Sequence, residues 1–199
     1  LNYISTAAVS GATDLVGDAS YSRFFTETIE AANQPGNLPF PVIPSQSLAR
    51  LLAPICDGGV SQLASLAEIQ GEACGGDLLP MLRSCSTVGS ALSALLRFMP
   101  IHAAPLHWQP RRQGDHLALC CWVEPNPDQT AAELEQMSFL ASLQIVSGFG
   151  EAVGNALKVD AIHRRPSQAG YQWPKSFRGV PIISDAAEDL VLIDISSLN

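Results

Sequence analysis

Four histidines are the first residues to weigh for chemistry, because imidazole is the usual acid, base or metal ligand near neutral pH. His102 and His107 flank Pro105 at a spacing that no metal-site pattern favours, and they read as polar residues at a helix-to-strand junction. His163 opens the run His163-Arg164-Arg165, a small basic cluster in an acidic chain. Its simplest reading is a solvated strand end, and its sharper one is a seat for an anionic ligand or an acidic partner surface. The carboxylate pairs Glu133/Glu135 and Glu188/Asp189 read as helix-start and loop charges, with no evident general acid among them. Five cysteines, Cys56, Cys74, Cys85, Cys120 and Cys121, are an odd number without C-x-x-C spacing. They predict neither a disulfide framework nor a zinc site, and they fit a reducing cytoplasm. Neighbours Cys120 and Cys121 would point to opposite faces of a strand, so one metal cannot readily take both.

Enzyme motifs are missing. The chain has no G-x-S-x-G elbow, no H-E-x-x-H and no phosphate-cradling G-x-x-x-x-G-K-[ST]. Gly148-Phe149-Gly150 lies in a helical pattern and lacks the preceding strand of a dinucleotide fingerprint. No catalytic residue, metal site or cofactor is therefore expected. Trp108, Trp122, Tyr171 and Trp173 stand out more, since aromatic faces beside a few polar groups line small-molecule pockets. A pocket between a helix ending near Met99 and a hairpin face carrying Cys120, Trp122 and Glu124 would gather Arg97, Phe98 and His102 beside them. These six, Arg97, Phe98, His102, Cys120, Trp122 and Glu124, are the expected ligand-binding residues.

The elements that must position them follow from hydrophobic period. Residues 1–18 show no firm period and read as a loose or partly helical lead-in. Tyr21, Phe24, Phe25, Thr28, Ile29 and Ala32 recur at three and four and predict a helix over Ala19–Asn33. A Pro-rich connector follows, and Ser45 caps a short helix with Leu48, Leu51, Leu52 and Ile55 inward. A third helical pattern runs from Ser61 through Ile69. Ser86 or Thr87 then caps the firmest helix, with Val88, Ala91, Leu92, Leu95, Leu96 and Met99 on its apolar face and Pro100 as its stop.

After Ala103 the period becomes two. Leu106–Pro110 and His116–Glu124 predict a hairpin around Arg112-Gln113-Gly114-Asp115, and both faces of its second strand are largely apolar. The capping box Thr130-Ala131-Ala132-Glu133 opens a long helix to about Ala156, with Leu134, Met137, Ala141, Ile145, Phe149 and Val153 inward. Short strands are expected at Lys158–Arg165, Val180–Ser184 and Leu190–Ile195. The order predicts an α+β fold in which N-terminal helices pack on a small, mostly antiparallel sheet. One long helix lies between the hairpin and the last strands.

Composition bounds the class. The chain has 199 residues, 47% of them hydrophobic and 15% charged, and a net charge of −8. That is globular composition, and a chain this long buries about 70% of its unfolded surface without a staple. The negative balance repels phosphate backbones, so direct nucleic-acid contact is not expected. Arg97 and Asp194 interrupt the longest apolar stretches, so no membrane span is expected. The chain opens on Leu1 without a leader pattern, which reads as a trimmed or processed start.

Gly76-Asp77-Leu78-Leu79-Pro80-Met81-Leu82-Arg83-Ser84-Cys85-Ser86-Thr87-Val88-Gly89-Ser90-Ala91-Leu92 resembles a characteristic segment of the arabinose-binding-like N-terminal domain of AraC/XylS-type transcription regulators. Ile43-Pro44 resembles that family's R-I-P-L entry, and Asp57-Gly58-Gly59 stands where it has G-D-P. Phe177-Arg178-Gly179-Val180-Pro181-Ile182 and Asp189-Leu190-Val191-Leu192-Ile193-Asp194 resemble its F-G-C-P-V-R-F and N-A-L-V-F-D. The likeness runs in order from about residue 43 to 199, with Pro80 as a departure. It implies one effector-binding and dimerisation domain over 1–199, with a poorly defined helical lead-in over 1–42. It also implies a cytoplasmic homodimer with a small-molecule effector, and DNA-binding helix-turn-helix units that this chain lacks. A ligand-free dimerisation or partner-docking module is the alternative.

The layout of Ala91–Pro125 is also similar to haem-based nitric-oxide sensor domains, which use an axial His and a Tyr-x-Ser-x-Arg strand motif. Here that place holds Cys120-Cys121-Trp122-Val123-Glu124, which lacks the groups that hold haem propionates.

Overall fold

A computed structural model describes residues 3–5, 13, 19–32, 42–44, 47, 51, 65–66, 81–102, 106–123, 139–140, 142–146, 148, 157–165, 177 and 179–199. The architecture is α+β, as the change of period predicts. Two helices are bounded, α1 (Ala19–Ala32) and α2 (Val88–His102). The strands are β1 (Tyr3–Ser5), β2 (Val42–Pro44), β3 (Leu106–Gln113), β4 (His116–Val123), β5 (Val159–His163), β6 (Ile182–Ile183) and β7 (Leu190–Asp194). A 3-10 turn, η1 (Ile195–Leu198), follows β7 directly.

The main sheet has the order β3-β4-β7-β5-β6, antiparallel throughout except for the parallel β5–β6 pair. The hairpin loop is tighter than expected, with strand pairing running to Gln113↔His116 around Gly114 and Asp115. Gly114 holds φ 61°, which glycine adopts without the steric penalty a Cβ brings and which a two-residue hairpin requires at its first position. Between Val159 and Ala161 the β5–β7 register slips by one residue, a bulge that lets Val159 and Ile162 both serve the core.

α2 forms where expected. Thr87 and Ser90 cap it reciprocally: the Ser90 amide donates to Thr87 Oγ1 and the Thr87 amide to Ser90 Oγ, each at 3.1 Å. Val88, Ala91, Leu92, Leu95 and Met99 are buried, and each fully buried Leu or Val contributes about 1.5–3 kcal/mol. Pro100 does not stop this helix; it lies inside the last turn, which continues to His102. So near the end Pro forfeits one backbone hydrogen bond rather than breaking a run of them.

The core joins α2 to one face of the sheet, here called the inner face. Leu119 and Cys121 of β4, Ile162 of β5, and Val191 and Ile193 of β7 pack with α2 and with Phe139, Leu143, Ile145 and Val146. The described helical residues within 139–148 are buried on more than one side, at 139, 140, 142, 143, 145 and 146. Ile145 is buried as expected, and the other expected inward residues of that helix lie outside the described set.

The lead-in differs most. Tyr3–Ser5 is a strand, paired antiparallel with β2 in a two-stranded sheet, because backbone pairing with Val42–Pro44 supplies the order that local pattern lacks. In α1 the side chain of Phe24 is 37% exposed, so it stands off the half-buried stripe of Phe25, Thr28 and Ile29. Of the two short helices expected between, Leu51 and Leu66 are helical and buried, and most of their other residues lie outside the described set.

Candidate functional site

The sheet register decides which of the expected pocket residues can meet. Residues directly opposite each other share a face, and successive residues alternate. Cys121 pairs with Trp108 and belongs to the inner core, so Cys120, paired with Gln109, and Trp122, paired with His107, face the other way. The pocket expected between α2 and the Cys120/Trp122 face is therefore not formed: α2 covers the opposite face. Trp122 is 40% exposed and stacks on His107 with ring centroids 5.4 Å apart. Arg97 is exposed on α2, its guanidinium 5.8 Å from the ring of half-buried Phe98, which packs against the inner core. His102 ends α2, its side chain outside the described set, and Glu124 lies beyond the described part of the strand.

Cys120 is nonetheless enclosed on the outer face. Arg111 and Glu188 form an ion pair beside it, and burial raises its thiol above the ordinary range. The ion pair itself is half exposed, so it contributes little.

The inner face holds a different group of polar residues, gathered around Cys121. Asp189 is 3% exposed and Arg164 5%. Oδ1 of Asp189 accepts from the Arg165 amide at 2.8 Å and lies 3.3 Å from Arg164 Nη1, while Oδ2 accepts from Arg165 Nε and Nη2 at 3.3 Å. The Asp189 carbonyl takes the Cys121 amide at 3.1 Å, tying this carboxylate to β4 as well. The Arg164 guanidinium lies over the Phe139 ring, 4.3 Å from its centroid, where the ring's negative face attracts it. Ser142, buried, shares a weak 3.8 Å contact with the Cys121 thiol, whose pKa burial pushes up to about 12. Trp108 packs against the same core, and its Nε1 is buried with no hydrogen-bond partner among the described residues.

Arg164 is thus not the solvated strand end that its sequence neighbours predict, and Asp189, in the loop before β7 as expected, is buried rather than solvated. β5 carries Ile162 and Arg164 to one face, and the guanidinium is accepted there because an aromatic face and a carboxylate both meet it. The sequence signal was a period of two from Ile162 to Arg164, with an acid just before the apolar strand Leu190–Ile193. Nothing local tells that those segments lie side by side.

The Cys121 thiol stays protonated at neutral pH, the Asp189 carboxylate is held by guanidinium groups, and among the described residues no three potential ligands gather as a metal site. Among the described residues no helix is long and apolar enough to cross a membrane.

No protein-family model and no curated protein matches the sequence. Among solved structures, the chain is similar to the transcriptional regulator CdpR from Pseudomonas aeruginosa, with TM-score 0.55 and 15% identity over 92% of this chain. The match covers 56% of that regulator, so the chain spans little more than half its length. A fainter likeness, TM-score 0.48 at 11% identity, links 96% of the chain to 96% of an Fe(II) unliganded H-NOX protein mutant from K. algicida. An H-NOX protein from S. oneidensis follows at TM-score 0.43 and 8% identity, covering 94% of this chain and 96% of its own. The chain thus shares its fold with part of that regulator, CdpR.

Proposed function

We propose that this chain is the ligand-sensing regulatory domain of an AraC-type transcription regulator. A small cytoplasmic effector binds between the inner face of the sheet and its covering helices, and binding shifts a dimer or interdomain arrangement. DNA is contacted by helix-turn-helix units outside this chain, and the domain itself catalyses nothing. The observation that carries this reading is the likeness to CdpR, in which the chain's fold accounts for a part and leaves room for more. The buried polar group around Cys121 supports it. A buried ion pair is weak as a source of stability, whereas a few convergent polar groups in an apolar setting are what orients a small ligand. The effector must bind one arrangement more tightly than the other, since equal affinity shifts nothing.

The test is the melting midpoint of this chain against cytoplasmic amino acids, their derivatives, sugars, fatty acids and cyclic nucleotides. An effector at about a hundred times its Kd adds about 2.7 kcal/mol and moves the midpoint by a few degrees. A midpoint unmoved across the panel counts against the sensor. The second reading, a ligand-free dimerisation or docking module, draws on the large apolar residues left exposed, Trp122, Ile182 and Ile183. It gains if self-association is seen together with that unmoved midpoint.

A further inference from the structure

We propose that the indole N–H of Trp108 anchors the effector, donating to a carbonyl or carboxylate oxygen on a small, otherwise apolar molecule. The proposal rests on the ligand-sensing reading and names the polar contact at its centre. Trp108 stands on β3 directly opposite Cys121, on the face that packs against α2 and residues 139–146. Its Nε1 is fully buried and has no acceptor among the described residues. An indole nitrogen only donates, and buried N–H groups in folded proteins almost always find an acceptor. The nearby polar groups are engaged elsewhere: the Cys121 thiol with Ser142, and the Asp189 carboxylate with Arg164 and Arg165. Trp108 itself is half-buried, and it sets this donor against the apolar core, a setting in which a single oxygen is selected by position. The described charges nearby are two guanidinium groups against one carboxylate, which disfavours a cationic ligand.

Three probes of similar shape separate the alternatives: benzoate (carboxylate), benzamide (neutral carbonyl) and toluene (no acceptor). In the 15N-labelled full chain, Trp108→Phe identifies the Trp108 signal among the three indole N–H resonances. Benzoate or benzamide should move that signal saturably, and whichever moves it at the lower concentration names the oxygen. Trp108→Phe should weaken that probe about tenfold and leave toluene unchanged, the loss expected for one hydrogen bond. A probe that raises the melting midpoint while the Trp108 signal stays still overturns the anchor and leaves the sensor standing. So does equal binding by Trp108→Phe. Failure of both oxygen-bearing probes to bind at about 10 mM, a Kd above which little binding energy remains, also overturns the anchor. The sensor reading falls only if the wider effector panel fails too. Should Trp108→Phe not fold, Trp122→Phe and Trp173→Phe assign the remaining signal by elimination, and the wild-type titration decides.

Discussion

Two acidic neighbours, Glu188 and Asp189, show how much the surroundings of a residue decide. Glu188 pairs with Arg111 where both side chains are nearly half exposed, and water screens the pair. Asp189 is buried against Arg164 and Arg165, so its loss takes the carboxylate away from a buried guanidinium. Asp189→Ala should therefore cost about 3–5 kcal/mol in urea denaturation, and Glu188→Ala less than about 1 kcal/mol. Cys121 supplies a second contrast. With its folded pKa near 12 against an ordinary 9.0, it keeps its proton in the native state and loses it sooner in the unfolded chain. Its contribution to stability is thus whole below pH 9 and falls as pH rises from about 9 to 12, which denaturation across that range measures. Iodoacetamide at pH 8 should label half-exposed Cys85 well before Cys121, read by mass spectrometry; equal rates would mean that the core opens there.

At the level of elements, the start of α2 and the end of the chain form one joint. A Cβ on Gly89 would meet the Leu198 carbonyl oxygen at 2.9 Å, a backbone atom that cannot swing aside. Gly89→Ala should destabilise by about 1–3 kcal/mol, while Gly148→Ala, helical and with open space at its Cβ, should gain up to about 1 kcal/mol. Thermal melting of the two variants should move in opposite directions. Asp194 holds the other side of the joint, accepting the Ser196 amide at 2.9 Å and pairing with Lys158 at 2.9 Å. Lys158 holds this carboxyl well below its ordinary 3.8. Its contribution is present above that value and fades as pH falls below it, so Asp194→Asn should flatten the acid limb of the stability curve. These contacts were out of reach of a pattern search, because η1 closes on a helix more than ninety residues earlier in the chain.

For the whole molecule, net charge sets the expectation for DNA. A chain at −8 should give no mobility shift with duplex DNA at about 0.1 M salt, and one appearing there would reverse the assignment of DNA contact to other segments. Helix α2, the hairpin and the three last strands were legible because hydrophobic period is a local property: 3.6 against 2 shows in ten residues of any chain. The α+β class follows from their order alone. The site was not legible in the same way. Alternation in β4 divides its residues between two faces, but both faces are apolar, so the pattern is silent on which one receives α2. That choice placed Cys121 and Trp108 inside and turned Cys120 and Trp122 away. Likewise the charges of Arg164 and Asp189 are plain in sequence, yet their burial depends on β5 and β7 lying side by side and on Phe139 reaching the guanidinium from a third element. Period and charge are carried by neighbours along the chain; enclosure is made by segments far apart in it, and only tertiary packing brings those together.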